Sequence, residues 1–246
     1  MTNPTPLTEA YCVNLESRPD RWMSMRKEIR KFPKTFKIHR FKAIENTNSP
    51  RIGCADSHVS IIKEAEKNGR KFVVVFEDDV EFNDSPFENL SKAISLAPKK
   101  WDIIMLGYYE SPLRLDLKSE FLSSYFAQGT HCVIYRDTAY KFMLGYDEKP
   151  LGIDDYISYL AATKAVNLYL VCPPLARQKA GYSNIKGDFY DWNSPAHALK
   201  TELDVFRKFY RALYKGDINQ MLLHSQDIQN EYLQKQCAVM LDKYRK

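Results

Sequence analysis

The strongest constraint on the fold of this chain is the segment FVVVFEDDV at residues 72–80. Its first five residues are apolar and rich in β-branched and aromatic types, which predicts a strand buried on both faces. Three carboxylates follow where that strand must leave its sheet, and open α/β sheets bind ligands at the carboxyl ends of their strands. Adjacent carboxylates repel one another and are costly to desolvate without a cation. The segment therefore predicts a divalent-metal site that carries a phosphorylated ligand, with an acidic surface turn as the alternative.

The overall composition is ordinary for a globular protein and excludes one class of partner. Hydrophobic residues make up 44% and charged residues 27% of the 246 residues, which is usual for such proteins. The net charge of +5 suits a phosphorylated substrate or weak attraction to an anionic membrane. It falls well short of the dense basic surface of a nucleic-acid binder, so we expect no nucleic-acid partner.

Cysteine spacing and the lack of export or membrane signals predict a cytoplasmic setting. The five cysteines are scattered and never stand in C-x2-C or C-x3-C spacing, so the spacing indicates neither a zinc site nor a disulfide framework. Residues 1–6 have neither the basic start nor the apolar core of a secretory signal. No run approaches the roughly 20 apolar residues of a membrane span. We expect a reducing environment and at most peripheral membrane contact.

The order of the predicted elements indicates a mostly parallel sheet with crossover helices. Strand, helix and strand alternate from residue 10 to residue 80, which is the rhythm of such a sheet. The polar and poorly periodic residues 108–124 predict a long loop over one face of the site. The predicted strands are residues 10–15, 35–44, 72–76, 101–106, 129–135 and 168–171, and the predicted helices are residues 22–30, 56–67, 87–96, 137–144 and 154–164.

The last fifth of the chain is predicted to be a helical appendage. Phe206, Tyr210 and Leu213 recur there at helical spacing. We expect this apolar stripe to pack on the rest of the protein, with a binding partner as the alternative. The chain is therefore divided into a main domain at residues 1–197 and a C-terminal helical extension at residues 198–246.

Two arginines follow the first predicted strand, in the loop NLESRPDR at residues 14–21. A guanidinium ion is always charged and offers a planar fork that fits phosphate oxygens. Arg18 and Arg21 are therefore candidate phosphate ligands at the tip of the sheet. The alternative is that Asp20 pairs with one of the two and braces the loop.

Two predicted helix starts carry further polar candidates. Gly53 precedes one of them, where free backbone N–H groups favour anions and where Ser57 could contact a ligand. A later helix begins with Asp154 and Asp155. One aspartate serves as the N-cap there, so the second is surplus to that need. A carboxylate held near a metal–phosphate site can act as a general base on a hydroxyl, and capping alone is the alternative.

Several of these fragments occur together in a recognisable order. They are Asn14-Leu15 with Arg18, Asp20 and Arg21; Gly53-Cys54 with Ser57-His58; Glu77-Asp78-Asp79; Trp101-Asp102-Ile103-Ile104 with Leu106-Gly107; Ile153-Asp154 with Tyr156-Ile157; and Gln178 with Ser183-Asn184-Ile185. In this order they resemble glycosyltransferase family 25, which includes bacterial lipopolysaccharide glycosyltransferases and collagen galactosyltransferases. The resemblance covers about residues 11–185. It implies a GT-A fold, an α/β Rossmann-like domain with a mixed, mostly parallel sheet flanked by helices, to which the helical extension is added.

The resemblance also implies a cofactor and roles for individual residues. Such enzymes use a nucleotide sugar and Mn²⁺ (or Mg²⁺) through a DxD-type motif, and Asp79 matches the direct metal ligand. Glu77 and Asp78 support the metal through water and through the ribose or sugar. His197 is the candidate for a late histidine ligand, with a surface histidine as the alternative. The residues predicted near the nucleotide are Asn14, Arg18, Arg21 and Ser57.

The implied function is metal-dependent transfer of a sugar from a UDP-type donor to a hydroxyl of a glycan, glycolipid or glycoprotein acceptor. The better-known members invert the anomeric configuration, which requires a base on the acceptor hydroxyl. Asp154 matches the family position best, and Asp155 is its rival. One alternative is a sugar-nucleotide nucleotidyltransferase, whose usual Gly-rich phosphate loop is missing from residues 14–21. The other is a non-catalytic binding module, against which the intact acidic triplet argues.

Overall fold

The chain folds into a mixed β-sheet with helices on both faces. The computed structural model describes residues 7–108, 121–124, 127–146, 151–183, 185 and 188–190. The helices of these residues are α1 (Pro19–Ile29), α2 (Pro50–Lys67), α3 (Pro86–Leu96), α4 (Asp137–Met143) and α5 (Ile153–Ala162). The strands are β1 (Glu9–Asn14), β2 (Lys37–Lys42), β3 (Phe72–Glu77), β4 (Val80–Phe82), β5 (Ile103–Gly107), β6 (Phe121–Ser124), β7 (Cys132–Arg136), β8 (Leu168–Val171), β9 (Ala176–Gln178), β10 (Gly181–Ser183) and β11 (Asp188–Tyr190).

Seven strands form the main path of the sheet, in the order β2-β1-β3-β7-β5-β8-β6. β1 runs parallel to β2 and β3, and β5 runs parallel to β8. β7 lies between β3 and β5 and is antiparallel to both, and β6 is antiparallel to β8 at the edge. The α/β class with a mixed sheet, predicted from the sequence, is confirmed.

Alternate residues of the central strands supply two hydrophobic cores, one on each face of the sheet. In β3, Val73 and Val75 belong to the core that also contains residues of α2, α4 and α5. Val74 and Phe76 belong to the opposite core, which contains residues of α1 and α3. A strand buried on both faces needs an apolar side chain at every position, and this explains the unbroken apolar run before the acidic triplet.

The acidic triplet lies where the carboxyl ends of two parallel strands meet. Val13 pairs with Glu77 in the register of β1 and β3, so the end of β1 lies beside the residues that follow β3. The chain then turns back as β4, which pairs antiparallel with β9 and places Val80 opposite Gln178. The tip of β3 is therefore flanked by the β1–α1 loop on one side and by β9 on the other.

Helix α2 begins at Pro50, well before the predicted start at residue 56. Proline is tolerated in the first turn because that N–H has no partner within the helix. Gly53 consequently lies inside the helix, and a Cβ there would clash with the carbonyl oxygen of Ile44. The glycine thus lets α2 approach the loop after β2, whereas the sequence suggested approach to a ligand.

The predicted loop at residues 108–124 is in part a strand. Phe121–Ser124 forms β6 and pairs with β8, while residues 109–120 lie outside the described residues. The predicted extension at residues 198–246 lies outside them as well, so the division of the chain at residue 197 stays a prediction. Among the helices that the structure describes, none has both the length and the apolar character required to cross a bilayer.

Candidate active site

Asp78 is held by side chains from β1 and α1. Its Oδ2 accepts a hydrogen bond from Asn14 Nδ2 at 2.5 Å, and its Oδ1 accepts one from Arg21 at 2.8 Å. Asn14 is fixed in turn, because its Oδ1 accepts two hydrogen bonds from Arg40. Burial raises the pKa of Asp78 in spite of the opposing contacts with Arg21 and Asn14. The carboxylate of Asp78 is therefore held in one position, and burial of its negative charge costs free energy.

Asp79 is the least compensated acid of the triplet. Its Oδ2 accepts hydrogen bonds from Arg21 at 3.0 Å and from Gln178 at 2.8 Å. Its Oδ1 is buried, and no described residue donates a hydrogen bond to it. Burial, together with the negative charges of Glu77 and Asp78, raises the pKa of Asp79 to about 7. A buried carboxylate oxygen without a donor is costly, so this atom marks a position that a cation fits.

Glu77 has a different set of neighbours. Its Oε1 accepts a hydrogen bond from the Thr130 hydroxyl at 2.5 Å, and it lies 3.9 Å from Cys54 Sγ and 3.7 Å from His58 Nε2. Burial acts to raise the pKa of Glu77, but the His58 and Thr130 contacts outweigh it, and the pKa is lowered. Glu77 therefore stays ionised at a pH where Asp79, two residues away, still holds a proton.

The three acids line a cavity of about 190 Å³. Its apolar wall comes from the end of β1 and from the loop after β2, with Val13, Leu15 and Ile44 among its members. A cavity of this size is smaller than the roughly 300–1,000 Å³ of whole small-molecule sites, so it suits one part of a nucleotide sugar. Its charged and amide lining residues are Arg18, Arg21, Glu45, Asn46, Glu77, Asp78, Asp79 and Gln178.

Arg18, at the end of the β1–α1 loop, and Arg21, in the first turn of α1, have different roles. Arg18 makes a two-pronged contact with Asp20, at 2.8 and 2.9 Å, which is the bracing contact that the sequence allowed for one of the pair. Arg21 bridges the acidic pair after β3 and donates to the Tyr182 carbonyl oxygen at 2.7 Å. Both arginines line the cavity, but Arg21 already serves as the counter-ion of the acids.

Two residues predicted near the nucleotide lie beneath the cavity. Asn14 is 1% exposed, and its amide group is used to position Asp78. Ser57 is fully buried inside α2, where its hydroxyl donates to the Gly53 carbonyl oxygen and accepts from the Ile44 N–H. The expected nucleotide contact of Ser57 assumed a helix that starts near residue 56. With the earlier start, the structure gives Ser57 a scaffold role instead.

The two aspartates at the start of α5 also differ in role. Asp155 is buried and forms an ion pair with Arg51, and the lack of a side chain at Gly152 leaves room for that guanidinium group. Asp154 is partly exposed. Its Oδ1 accepts from the Asp155 N–H at 3.0 Å, and its Oδ2 accepts from the Gly129 N–H at 3.2 Å. Burial raises the pKa of Asp154 although the charge of Arg51 opposes it.

Asp154 lies within electrostatic range of the acidic cavity. Burial, followed by the charges of Glu77 and Asp154, raises the pKa of the Cys54 thiol well above its usual value. Cys54 lines the cavity, and Asp154 does not. The Asp154 carboxylate is therefore close to the cavity but outside its lining.

Some parts of the site were not predicted. Arg40, on β2, fixes Asn14 and lies over the Trp22 ring with 5.0 Å between the guanidinium carbon and the ring centroid. Thr130 precedes β7 and holds Glu77. Neither residue type is unusual at such a position, so the sequence carried no signal for either one. His197, predicted as a metal ligand, lies outside the described residues.

Comparison with known proteins supports the resemblance seen in the sequence. The sequence model of Glycosyltransferase family 25 (LPS biosynthesis protein) matches residues 48–143. This segment is similar to glycosyltransferase family 25. It contains α2, the acidic triplet and Thr130, so most of the cavity's acidic side falls within the family 25 segment. The resemblance to this family that the sequence motifs indicated is confirmed over residues 48–143.

Two individual proteins are similar to this chain, one in sequence and one in structure. A mouse (Mus musculus) protein named "Inactive glycosyltransferase 25 family member 3" is 42% identical over 59 residues, which are 23% of this chain. The chain matches only 10% of that relative's length. The structure of the mannosyltransferase PcManGT from Pyrobaculum calidifontis, solved in complex with GDP-Man and Mn²⁺, superposes on this chain with a TM-score of 0.53. The two sequences are 10% identical, and the match covers 98% of this chain and 75% of the PcManGT chain. At this identity the likeness establishes the fold alone, and it confirms a GT-A-like fold.

Proposed function

We propose that this protein is a metal-dependent glycosyltransferase that moves a sugar from a nucleotide-sugar donor to a hydroxyl of a glycan, glycolipid or glycoprotein acceptor, with inversion. The observation that carries the proposal is Asp79 Oδ1, a buried oxygen that no described residue hydrogen-bonds, in a cavity lined by acids and arginines. The family 25 segment supports the same reaction class. A UDP-linked donor is proposed from the family resemblance.

The residues at the tip of β3 fit a divalent cation such as Mn²⁺ or Mg²⁺. Both ions prefer carboxylate oxygens, and Asp79 would hold the ion through Oδ1 with Asp78 beside it. When bound, such an ion acts as a Lewis acid that stabilises negative charge on the departing nucleoside diphosphate. Arg18 lies in the same cavity and offers donors suited to phosphate oxygens. His197 stays the predicted additional ligand.

Asp154 is the proposed general base. An acceptor hydroxyl that attacks the anomeric carbon must lose its proton to a group on the side opposite the leaving diphosphate. The raised pKa of Asp154 makes it a stronger base than an ordinary aspartate, and its partial exposure leaves it accessible. Asp155 is the weaker candidate because its carboxylate is buried against Arg51.

Thermal unfolding in the presence of nucleotides tests this function. The full chain is heated with UDP, GDP or CMP, each with and without Mn²⁺, and the corresponding nucleotide sugars are then assayed for release of nucleotide. We expect one nucleotide to raise Tm only when Mn²⁺ is present, and its sugar conjugate to be turned over. Asp84→Asn, which removes an exposed carboxylate just after β4, is the matched control and should behave as the wild type. The proposal is wrong if no nucleotide gives a Mn²⁺-dependent shift.

A second candidate is a nucleotide-binding domain without turnover. Arg21 contacts both Asp78 and Asp79, at 2.8 and 3.0 Å, and offsets part of their negative charge. The mouse relative is also named as inactive. On this alternative, a nucleotide raises Tm to the same extent with or without Mn²⁺, and no nucleotide sugar is consumed. The same experiment therefore separates the two candidates.

A further inference from the structure

A thiol, an imidazole and a carboxylate converge at the inner wall of the cavity. Cys54 and His58 are four residues apart on α2, so their side chains lie on one face of the helix. Glu77, at the end of β3, faces them. One ligand atom from each of the three residues lies within 4.8 Å of the other two. We propose that Cys54, His58 and Glu77 bind a zinc-class divalent cation, at a site distinct from the oxygen site at Asp79.

The separations of the ligand atoms are close to those of a tetrahedral zinc site. Zinc–sulfur bonds of about 2.3 Å and zinc–nitrogen or zinc–oxygen bonds of about 2.0–2.2 Å place neighbouring ligand atoms roughly 3.4–3.6 Å apart. Glu77 Oε1 lies 3.7 Å from His58 Nε2 and 3.9 Å from Cys54 Sγ. Side-chain shifts of a few tenths of an ångström therefore close these two edges.

His58 is oriented as a metal-binding histidine would be. It is fully buried, and its Nδ1 lies 2.9 Å from the hydroxyl of Tyr135. Its Nε2 is buried, has no hydrogen-bond partner among the described residues, and is directed at Glu77. Ligating histidines commonly use the second ring nitrogen in a hydrogen bond that fixes the ring. A buried imidazole nitrogen without a partner is otherwise costly, and a cation would remove that cost.

The charges and the softness of the three groups select the type of ion. A thiolate and a carboxylate together neutralise a divalent cation, and the imidazole adds a neutral nitrogen. Sulfur and nitrogen ligands favour Zn²⁺ or Co²⁺ over Mn²⁺ and Mg²⁺, which prefer oxygen. Cys54 and Glu77 line the cavity, so a fourth position of such an ion would face the cavity and accept water or a ligand.

The site could not be predicted from the sequence because its ligands come from two elements that are separate in the chain. No pair of cysteines has zinc-site spacing, and the Cys54–His58 pair on α2 becomes meaningful only when β3 brings Glu77 to it. The site also does not depend on the proposed transferase. It requires neither a nucleotide sugar nor the Asp79 oxygen.

Spectroscopy with Co²⁺ as the probe tests the site. The full chain, freed of metal with a chelator, is titrated with Co²⁺, and the thiolate-to-cobalt charge-transfer absorption is followed. We expect one Co²⁺ per chain, with the band displaced by Zn²⁺ and not by an equal concentration of Mn²⁺. Cys54→Ser should abolish the band, and Glu77→Gln should weaken Co²⁺ binding at least about tenfold, the equivalent of one good ligand.

Two matched variants make the test specific. Cys172→Ser removes another partly exposed thiol and should leave the band unchanged. Asp79→Asn should also keep it, even if that variant loses all Mn²⁺-dependent nucleotide binding, so failure of the proposed function and failure of this site are distinguishable. The inference is overturned if the wild type gives no thiolate band, or if the band persists in Cys54→Ser. Should Cys54→Ser not fold, as judged by circular dichroism, an undiminished Co²⁺ affinity in Glu77→Gln overturns it equally.

Discussion

The chain contains two Asp-Asp pairs, and the structure treats them very differently. Asp154 and Asp155 lie at the start of a helix, where Asp154 accepts a hydrogen bond from a backbone N–H and Asp155 pairs with Arg51. Asp78 and Asp79 stand after a strand whose backbone groups are committed to the sheet. That second pair depends on side chains from three distant segments, with Asn14, Arg21 and Gln178 as the donors.

The comparison shows why only one pair calls for an outside cation. A helix start supplies local donors and a favourable dipole for carboxylates, whereas the tip of a central strand supplies neither. Even with three donating side chains, Asp79 Oδ1 stays buried without a partner. The pair at α5 is therefore held by backbone N–H groups and by Arg51, whereas the pair at β3 leaves one carboxylate oxygen without a donor.

Asp79→Asn should have the largest effect on activity. The amide keeps the size of the side chain but removes the charge that a divalent cation needs. We expect Mn²⁺-dependent turnover of the nucleotide sugar to fall by about 10²–10³-fold, the scale of losing a main electrostatic contact. Steady-state assays across Mn²⁺ concentrations provide the measurement. Activity within threefold of the wild type would remove Asp79 from the metal site.

Asp154→Asn should have the next largest effect on activity, and it tests the pair at the start of α5. Loss of a general base typically lowers the rate by about 10²–10⁴-fold, and we place this variant near the lower figure because the acceptor hydroxyl can still react slowly with water as the base. Donor binding, measured as the Mn²⁺-dependent Tm shift with nucleotide, should be unchanged. Near-normal turnover would assign the base elsewhere.

Asp155→Asn supplies the contrast within that pair. It removes the ion pair between Arg51 and Asp155 at a partly buried position, so we expect a loss of about 1–3 kcal/mol in the free energy of unfolding. The turnover of the folded protein should stay close to the wild type. Denaturant titration gives the first quantity and the transferase assay gives the second. A base role for Asp155 would show the reverse pattern.

Arg21→Gln tests whether the acidic pair after β3 is incomplete. Without Arg21, Asp78 and Asp79 lose their shared cation, and the metal-free protein should lose about 1–3 kcal/mol of stability. Mn²⁺ should then raise Tm by more than it does in the wild type, because the ion replaces a missing charge. Lys31→Gln removes the more exposed cation beside Glu28 and should leave the Mn²⁺ response unaltered. An equal Mn²⁺ response in Arg21→Gln and the wild type would contradict this explanation.

The contrast between local and distant contacts also explains which features of the fold and the site could be predicted from the sequence. The apolar run of β3 and its acidic tip predicted the central strand and the candidate site, because burial on both faces leaves an unbroken pattern. The start of α2 was placed too late since Pro50 and Gly53 both look like loop residues in sequence. The short strands β4, β9, β10 and β11 were missed because three residues are too few to show a period.

Some of the residues that support the acids could not be predicted from local pattern. Arg40 and Thr130 are ordinary polar residues in sequence, and they matter only because the sheet order places β2 beside β1 and β7 beside β3. Arg18 and Arg21 were found, but which of them would brace the loop and which would neutralise the acids depends on packing. Contacts between distant elements carry no signal in a single sequence.

A further prediction is a pH dependence of stability that comes from Asp79. Burial and the neighbouring charges raise its pKa to about 7 in the folded protein, against about 3.9 in an unfolded chain. Between these values the native state holds a proton that the unfolded state has lost, so the stability of the metal-free protein should decrease as pH rises from about 4 to about 7, by at most about 1.4 kcal/mol per pH unit. Mn²⁺ requires the ionised carboxylate, so its stabilising effect should grow over the same range. Asp79→Asn should make both curves shallower between pH 5 and 7, while the contributions of Asp78 and Asp154, whose pKa values burial also raises, remain. Asp20, whose pKa Arg18 lowers to about 2, acts only below that window. Equal slopes in Asp79→Asn and the wild type would show that Asp79 is not the titrating group, and would remove the distinction drawn between the two aspartate pairs.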